Sequence, residues 1–353
     1  MRLGVIGLGE VAQVVHLPLL SALPELFEVR SACDLSPQLL QSVGDRFAIP
    51  RRYRTSADLI AAGDIDAVLV LSSDEYHAEA VVDAANHGLH VLVEKPMCLS
   101  PREAEMIIDA RDRNGVTVMV GYMRRFAPAF LEAKELLTGL GRVNFARVHD
   151  VIGRNQLIID QTAHVVRPGD LPQSAVQERG ARARALVSDA IGDVPPAVAN
   201  AYRLLCGLGS HDLSAMRELL GPARGVHAAR QWRDGGYITA LLEYDDFVVA
   251  YETGVDEQLR FDAHLEVFTD TTSFRVQYDT PYVRHLPTTL QVEQTSGDAI
   301  TRTVRRPHLK DPYTYEWEYF HQCVTAGERP KTDPEDFVAD LSLFAELVRH
   351  LDK

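Results

Sequence analysis

Cysteine is scarce in this 353-residue sequence: Cys33, Cys98, Cys206 and Cys323 stand far apart, with no CxxC pair and no metal-ligand spacing. That excludes a disulfide-stapled scaffold, gives no reason to expect a bound metal, and points to free thiols in a reducing compartment. Positive charge is also short, with 36 Lys and Arg against 50 Asp and Glu for a net charge of −14. Nucleic acid and anionic membrane surfaces would be repelled, so neither is expected as a partner. Long hydrophobic runs are lacking as well. Stretches such as Ala67–Leu71 and His90–Val93 have the length of strands and fall far short of a bilayer span. A strand-like run already begins at residue 2, which leaves no room for a secretory leader, and a cytoplasmic location is expected.

What is present is ordinary globular material, 46% hydrophobic and 24% charged. At this length two domains are expected, and the texture of the chain changes once. Through about residue 120, short apolar runs (Leu3–Ile6, Phe27–Cys33, Ala67–Leu71, Val91–Val93, Val116–Val120) alternate with helix-patterned segments. Strands that read as continuous hydrophobics between helices indicate a parallel sheet covered on both faces. Beyond about residue 140, the alternating segments Tyr237–Tyr244, Phe247–Thr253, His264–Phe268 and Ser273–Tyr278 follow one another, the mark of an antiparallel sheet. Helix patterns flank them at Ala175–Ala190, His211–Leu220, Tyr313–Ala326 and Pro334–His350. The segment Gly153–Pro172 shows no clear period and carries Asn155, Gln156, Asp160, Gln161 and His164, as a binding or mobile loop would.

The chemistry starts in the first turn. Gly7-Leu8-Gly9-Glu10-Val11-Ala12 fits G-x-G-x-x-A between a strand and a helix. Gly7 permits the tight turn, and Gly9 lets a pyrophosphate approach the backbone. The helix that opens at Glu10 and Val11 presents its N-terminus to the negative charge, and Ala12 allows close packing on the strand. Asp34, twenty-two residues after Ala12 and just past the second strand, is placed to bond a ribose 2′-hydroxyl. A carboxylate there repels a 2′-phosphate and Leu35 supplies no cation, so NAD is expected over NADP. Residues 1–123 are thus expected to form an NAD-binding Rossmann domain of α/β type. Residues 124–353 are expected to form an α+β domain with a large, mostly antiparallel sheet that binds substrate and carries the oligomer contacts.

Several motifs in order then resemble the glucose–fructose oxidoreductase/inositol dehydrogenase (Gfo/Idh/MocA) family. They are the Gly7–Ala12 turn, His16-Leu17-Pro18, Asp74–Ala80, Glu94-Lys95-Pro96, Gly121–Phe126, Gly209–Asp212, and a closing Tyr315–Phe320 helix with Glu335-Asp336. The resemblance implies an NAD-dependent oxidoreductase acting on a secondary hydroxyl of a sugar or cyclitol, assembled as a homodimer or homotetramer. It implies that Lys95 bonds the reacting oxygen beside the nicotinamide, ahead of a cis peptide to Pro96, and that His211 accepts the proton. Ser72, Ser73, His77 and Glu94 would line the cofactor. The chemistry of the residue types agrees: oxidising an alcohol needs a base near neutral pKa, the range of histidine.

In family sugar and polyol dehydrogenases an aspartate commonly lies four residues before the histidine and another three after it; here those positions hold Gly207 and Ser214. Asp150, Asp160 or Asp212 is the expected replacement; the alternative is that the polar contact is lost with a different substrate and the pocket is wider there. Arg124, Asp150, Asn155, Asp212 and Tyr282 are the candidate substrate contacts, Tyr282 lying in a polar loop with Arg284 and His285. Two other outcomes use the same cofactor site: redox-neutral glycoside cleavage by oxidation, elimination and re-reduction, and a silent NAD-binding sensor.

Overall fold

The computed structural model describes residues 1–351 and divides into two compact units, each built around its own sheet. The first comprises Met1–Gly121, Ala163–Gly192 and Glu316–Leu341, the second Tyr122–Thr162, Asp193–Tyr315 and the remainder. The sequence placed one boundary after Met123. The chain instead changes units two residues earlier, and two later segments return to the first unit.

The first unit holds a parallel sheet of β1 (Arg2–Ile6), β2 (Glu28–Cys33), β3 (Arg51–Tyr53), β4 (Ala67–Val70), β5 (His90–Glu94) and β6 (Val118–Gly121), in the order β3-β2-β1-β4-β5-β6. β4 and β6 are buried at every residue, which is why they read as uninterrupted hydrophobics. The helices between strands carry ordinary stop and start signals. Ser100 Oγ accepts from Glu103 N–H at the start of Pro101–Asn114, and Gly115 follows its end at φ 61. The returning segment protects the sheet edge: Val120 N–H donates to the Thr332 carbonyl at 2.7 Å, and Thr332 Oγ1 donates back to the Val120 carbonyl at 2.9 Å.

The second unit holds an eight-stranded sheet. Its strands are β7 (Val143–Gly153), β8 (Gly225–Trp232), β9 (Tyr237–Glu243), β10 (Val248–Asp256), β11 (Phe261–Thr269), β12 (Thr272–Tyr278), β13 (Thr289–Ser296) and β14 (Ala299–Arg305). The order is β14-β13-β12-β11-β7-β10-β9-β8, antiparallel except for the central pair β7 and β10. β7 escapes a sequence reading because its alternation is broken on both faces. Asp150 points inward among Val148 and Ile152, and Val151 points outward beside His149. Two helices escape it as well. Asn155–Thr162 occupies part of the segment read as irregular, and Pro196–Leu204 runs without a break through a π turn (Leu205–Gly209) into Ser210–Leu220. The face of the sheet that carries His149 and His264 is polar at its centre. At its centre His149 and His264 stack at 4.9 Å and are ringed by Arg147, Glu252, Asp262, Glu266 and Arg275.

Among the described residues no helix is long and apolar enough to cross a membrane, and no three His, Cys, Asp or Glu side chains are placed to hold a metal ion.

Candidate dinucleotide site and a buried charge cluster

β1 ends at Ile6, and the next residue turns back at φ 99. A Cβ at Gly7 would lie 2.6 Å from the Leu71 carbonyl oxygen, so the approach of β1 to the end of β4 requires glycine. Gly9 differs: it is exposed, and a Cβ there would meet nothing within 4 Å. The helix opens at Glu10, runs through a π turn (Ala12–His16) and continues as Leu17–Ser21. Such turns recur at functional sites.

Asp34 locks this turn to the second strand. Leu8 N–H donates to its Oδ2 and Ser36 N–H to its Oδ1, both at 2.8 Å. Burial pushes the Asp34 carboxyl up and Asp170 adds to the push, while the Ser36 and Leu8 N–H groups and Arg54 oppose it. Each carboxylate oxygen keeps acceptor capacity for a further donor such as a ribose hydroxyl. After β4, the Ser72 Oγ is buried with no hydrogen-bond partner among the described residues, and Ser73 is half-buried beside it. Free room over Gly9, acceptor oxygens on Asp34 and this orphaned hydroxyl suit a dinucleotide.

His77 braces the strand ends from within. Its Nδ1 lies 2.7 Å from the Pro96 carbonyl and its Nε2 2.7 Å from the Ser72 carbonyl, so the buried ring ties the ends of β4 and β5 together. Lys95 is half-buried and its peptide to Pro96 is cis, as the resemblance implies. Glu94, before it, is fixed from behind. Trp317 Nε1–H, which can only donate, bonds His16 Nδ1 at 3.0 Å, so His16 Nε2 carries the proton that Glu94 Oε1 accepts at 3.0 Å. Burial opposes ionisation of Glu94, but the His16 bond and the neighbouring Lys95 hold its carboxyl below the usual range.

A strap from residues 163–170 also crosses this site. Gln13, fully buried, donates from Nε2 to the Leu8 and Val166 carbonyls at 2.9 Å and accepts from Val166 N–H at 2.8 Å. Arg46 donates to the His164 carbonyl, and Arg167 pairs with Glu10 at 2.6 Å. The sequence reading missed Gln13, Trp317 and Asp170; Gln13 and Val166 lie 153 positions apart, and no local pattern links them.

The second unit gathers three of the five candidate substrate residues into one buried cluster. Arg124 Nη1 donates to Asp150 Oδ2 at 3.0 Å and to Asp212 Oδ1. Exposure is 2% for Arg124 and 0% for both aspartates. The guanidinium also lies over the Tyr278 ring, 5.1 Å from its centroid. Asp150 Oδ1 and Asp212 Oδ2 have no donor among the described residues. Burial pushes the Asp212 carboxyl well above its usual range, and the neighbouring Asp150 reinforces this against the pull of Arg124. His211 precedes Asp212 on the same helix and is buried, at 8% exposure. Of the three carboxylates expected to stand in for the missing aspartate, Asp150 and Asp212 are thus committed to Arg124, and Asp160 is exposed on its helix. The other two candidates meet each other: Asn155 Nδ2 donates to the Tyr282 hydroxyl at 3.4 Å.

Residues 1–122 match Gfo/Idh/MocA, described as an oxidoreductase family with an NAD-binding Rossmann fold. An inositol 2-dehydrogenase of Salmonella typhimurium is 30% identical over 139 residues, or 39% of this chain and 41% of the relative. The chain therefore spans about two fifths of the length of the curated relatives it first matches. D-xylose 1-dehydrogenase (NADP(+)) 2 of Haloferax volcanii is 28% identical over 317 residues, covering 84% of this chain and 82% of that one. Among solved structures, a levoglucosan dehydrogenase in complex with NADH and levoglucosan has a TM-score of 0.77 at 16% identity, covering 99% of this chain and 96% of that chain. A 3-ketoreductase from Actinomadura kijaniata in complex with TDP-benzene and NADP has a TM-score of 0.74 at 21% identity, covering 99% and 98%. At these identities the likeness is one of fold.

Proposed function

We propose, from the match of residues 1–122 to the Gfo/Idh/MocA oxidoreductase family, that the whole chain is an NAD-dependent dehydrogenase acting on a secondary hydroxyl of a sugar or cyclitol. The observation that carries the reading is the open Gly9 turn locked to the Asp34 carboxylate. Gly7, Gly9, Glu10, Val11 and Ala12 would hold the pyrophosphate, Asp34 the adenosine ribose, and Ser72, Ser73, Glu94 and Lys95 the part nearer the nicotinamide, with His77 bracing the loops between them. When bound, the dinucleotide supplies the hydride acceptor or donor.

Lys95 bonds the substrate oxygen and stabilises the negative charge that builds there as its proton departs. His211 takes that proton in oxidation and returns it in reduction. Arg124, Asp150 and Asp212 anchor the helix that bears His211, and the Asn155–Tyr282 pair supplies donors and acceptors to substrate hydroxyls. Relatives named as inositol, xylose and levoglucosan dehydrogenases support this substrate class. Their cofactors include both NADP and NADH, so the preference for NAD rests on Asp34. Self-association through the open face of the second sheet belongs to the same reading, supported by exposed Leu241 and Val248 at the flank of its charged centre.

A screen of cyclitols, aldoses and glycosides, following NADH absorbance and released aglycone together, tests the function. Net NADH formation on a free sugar or cyclitol is expected; aglycone release without NADH would replace this reading with the redox-neutral one. Lys95→Met is expected to bind NAD normally while turnover falls by two or more orders of magnitude, on the order of the loss of a positioned proton-transfer group. Unchanged turnover would remove Lys95 from the chemistry.

A further inference from the structure

The helix Pro37–Arg46 begins where the phosphate of an NADP-type cofactor would sit, just past the ribose-binding carboxylate. Its first turn is a set of anion donors. Ser36 Oγ accepts from Leu39 N–H at 3.1 Å and so has its own proton to give; Gln38 N–H points the same way; and Arg54, which donates to the Leu35 carbonyl at 2.6 Å, acts electrostatically on Asp34 and Asp170 alike. The sequence reading noted that Leu35 brings no cation. The fold brings Arg54 from beyond β3.

An anion already occupies that position, and it belongs to the chain. Asp170, at the end of the strap, accepts from Ser36 Oγ at 2.5 Å through Oδ1 and from Gln38 N–H at 2.9 Å through Oδ2. Gly169 N–H donates to Gln38 Oε1 at 3.1 Å and holds the carboxylate in register. We propose that Asp170 is an internal occupant of the 2′-phosphate position, and so a second residue, outside the ordinary Rossmann core, that selects NAD over NADP. It satisfies the donors a 2′-phosphate would use and sets a second negative charge beside Asp34. A 2′-phosphate would have to displace one carboxylate and approach another, whereas a 2′-hydroxyl needs only Asp34.

The strap does not depend on Asp170 for its place. Gln13 holds Val166 through both N–H and carbonyl, Arg46 holds the His164 carbonyl, and Arg167 pairs with Glu10. Removing the Asp170 charge therefore opens the anion position and leaves the strap on the turn.

The inference rests on the dinucleotide reading above, and one experiment separates the two. Binding of NAD⁺ and NADP⁺ to the full chain is measured by calorimetry, without substrate, for the unmodified protein, Asp170→Asn and Asp170→Ala. The expected result is NAD⁺ binding within about twofold in all three and NADP⁺ binding about tenfold tighter in both variants, the scale of one relieved like-charge contact near the surface. An unchanged NADP⁺/NAD⁺ ratio, with NAD⁺ still bound, would overturn the role of Asp170 and leave the dinucleotide site standing. Equal gains for both cofactors would overturn it too, by making Asp170 a latch on the strap. If the unmodified protein binds neither dinucleotide, the dinucleotide reading falls and this inference with it.

Discussion

Asp150 and Asp212 meet on a single guanidinium, that of Arg124, with neither carboxylate reached by solvent. Two acids against one cation leave an excess negative charge in a low-dielectric interior, which favours the neutral form of Asp212. Either acid can therefore be made permanently neutral without unbalancing the cluster. Asp150→Asn and Asp212→Asn are each expected to cost no more than about 1 kcal/mol in urea unfolding. The double variant strands Arg124 and is expected to cost about 3–5 kcal/mol. Additive small losses would show that Arg124 needs neither carboxylate to be accommodated in the interior.

The raised Asp212 carboxyl makes stability depend on pH in a fixed direction. The Asp212 carboxyl is raised in the fold, so its contribution is complete below the unfolded carboxyl range and is lost as pH rises through the folded value. The melting temperature is expected to fall on the alkaline side in the unmodified protein and to fall less steeply in Asp212→Asn. Parallel melting curves for the two across about pH 5 to 10 would contradict the assignment.

Gly7 and Gly9 are two positions apart yet serve opposite needs. Gly7→Ala forces a Cβ against the Leu71 carbonyl at φ 99 and is expected to destabilise the protein by about 1–3 kcal/mol. Gly9→Ala meets no protein atom and is expected to melt within about 2 °C of the parent. Its NAD affinity should nonetheless fall about tenfold or more, because the methyl group stands where the pyrophosphate approaches. Tight NAD binding by Gly9→Ala would move the pyrophosphate elsewhere.

These contrasts show which parts of the molecule the sequence could disclose. The parallel sheet was readable because β4, β5 and β6 are covered on both faces and their hydrophobics run on without interruption. The tight turn at Gly7 was readable because a glycine directly after a strand marks one, and the structure puts that residue at φ 99 against the Leu71 carbonyl. β7 was not, since the same strand must carry Asp150 inward to Arg124 and His149 outward to Glu252, and that erases the alternation. Nor was the strap. Asp170 reaches Ser36 across 134 positions, and a lone acidic residue in a polar stretch gives no sign that its partner is a helix start far upstream.

Gly207 stands where the family resemblance leads one to expect an aspartate, and the structure leaves room to place one there. The residue lies in the π turn that leads into the His211 helix, half-exposed, and a Cβ built there meets nothing within 4 Å. Its neighbour Gly209 is the contrast: a Cβ there would fall 2.4 Å from the buried Tyr251 hydroxyl, so that glycine is required by packing. Gly207→Asp is therefore expected to fold with stability within about 1 kcal/mol of the parent, since replacing a helical glycine gains backbone order at no steric cost. It places a carboxylate on the turn before His211. A nearby negative charge favours the imidazolium, so the acid limb of the pH–rate profile, set by protonation of the base, should move upward by about one unit. The two readouts are independent, because unfolding reports the packing at Gly207 and the pH profile tests the role proposed for His211. A well-folded Gly207→Asp whose acid limb stays where it was would mean that His211 is not the group whose protonation limits the reaction.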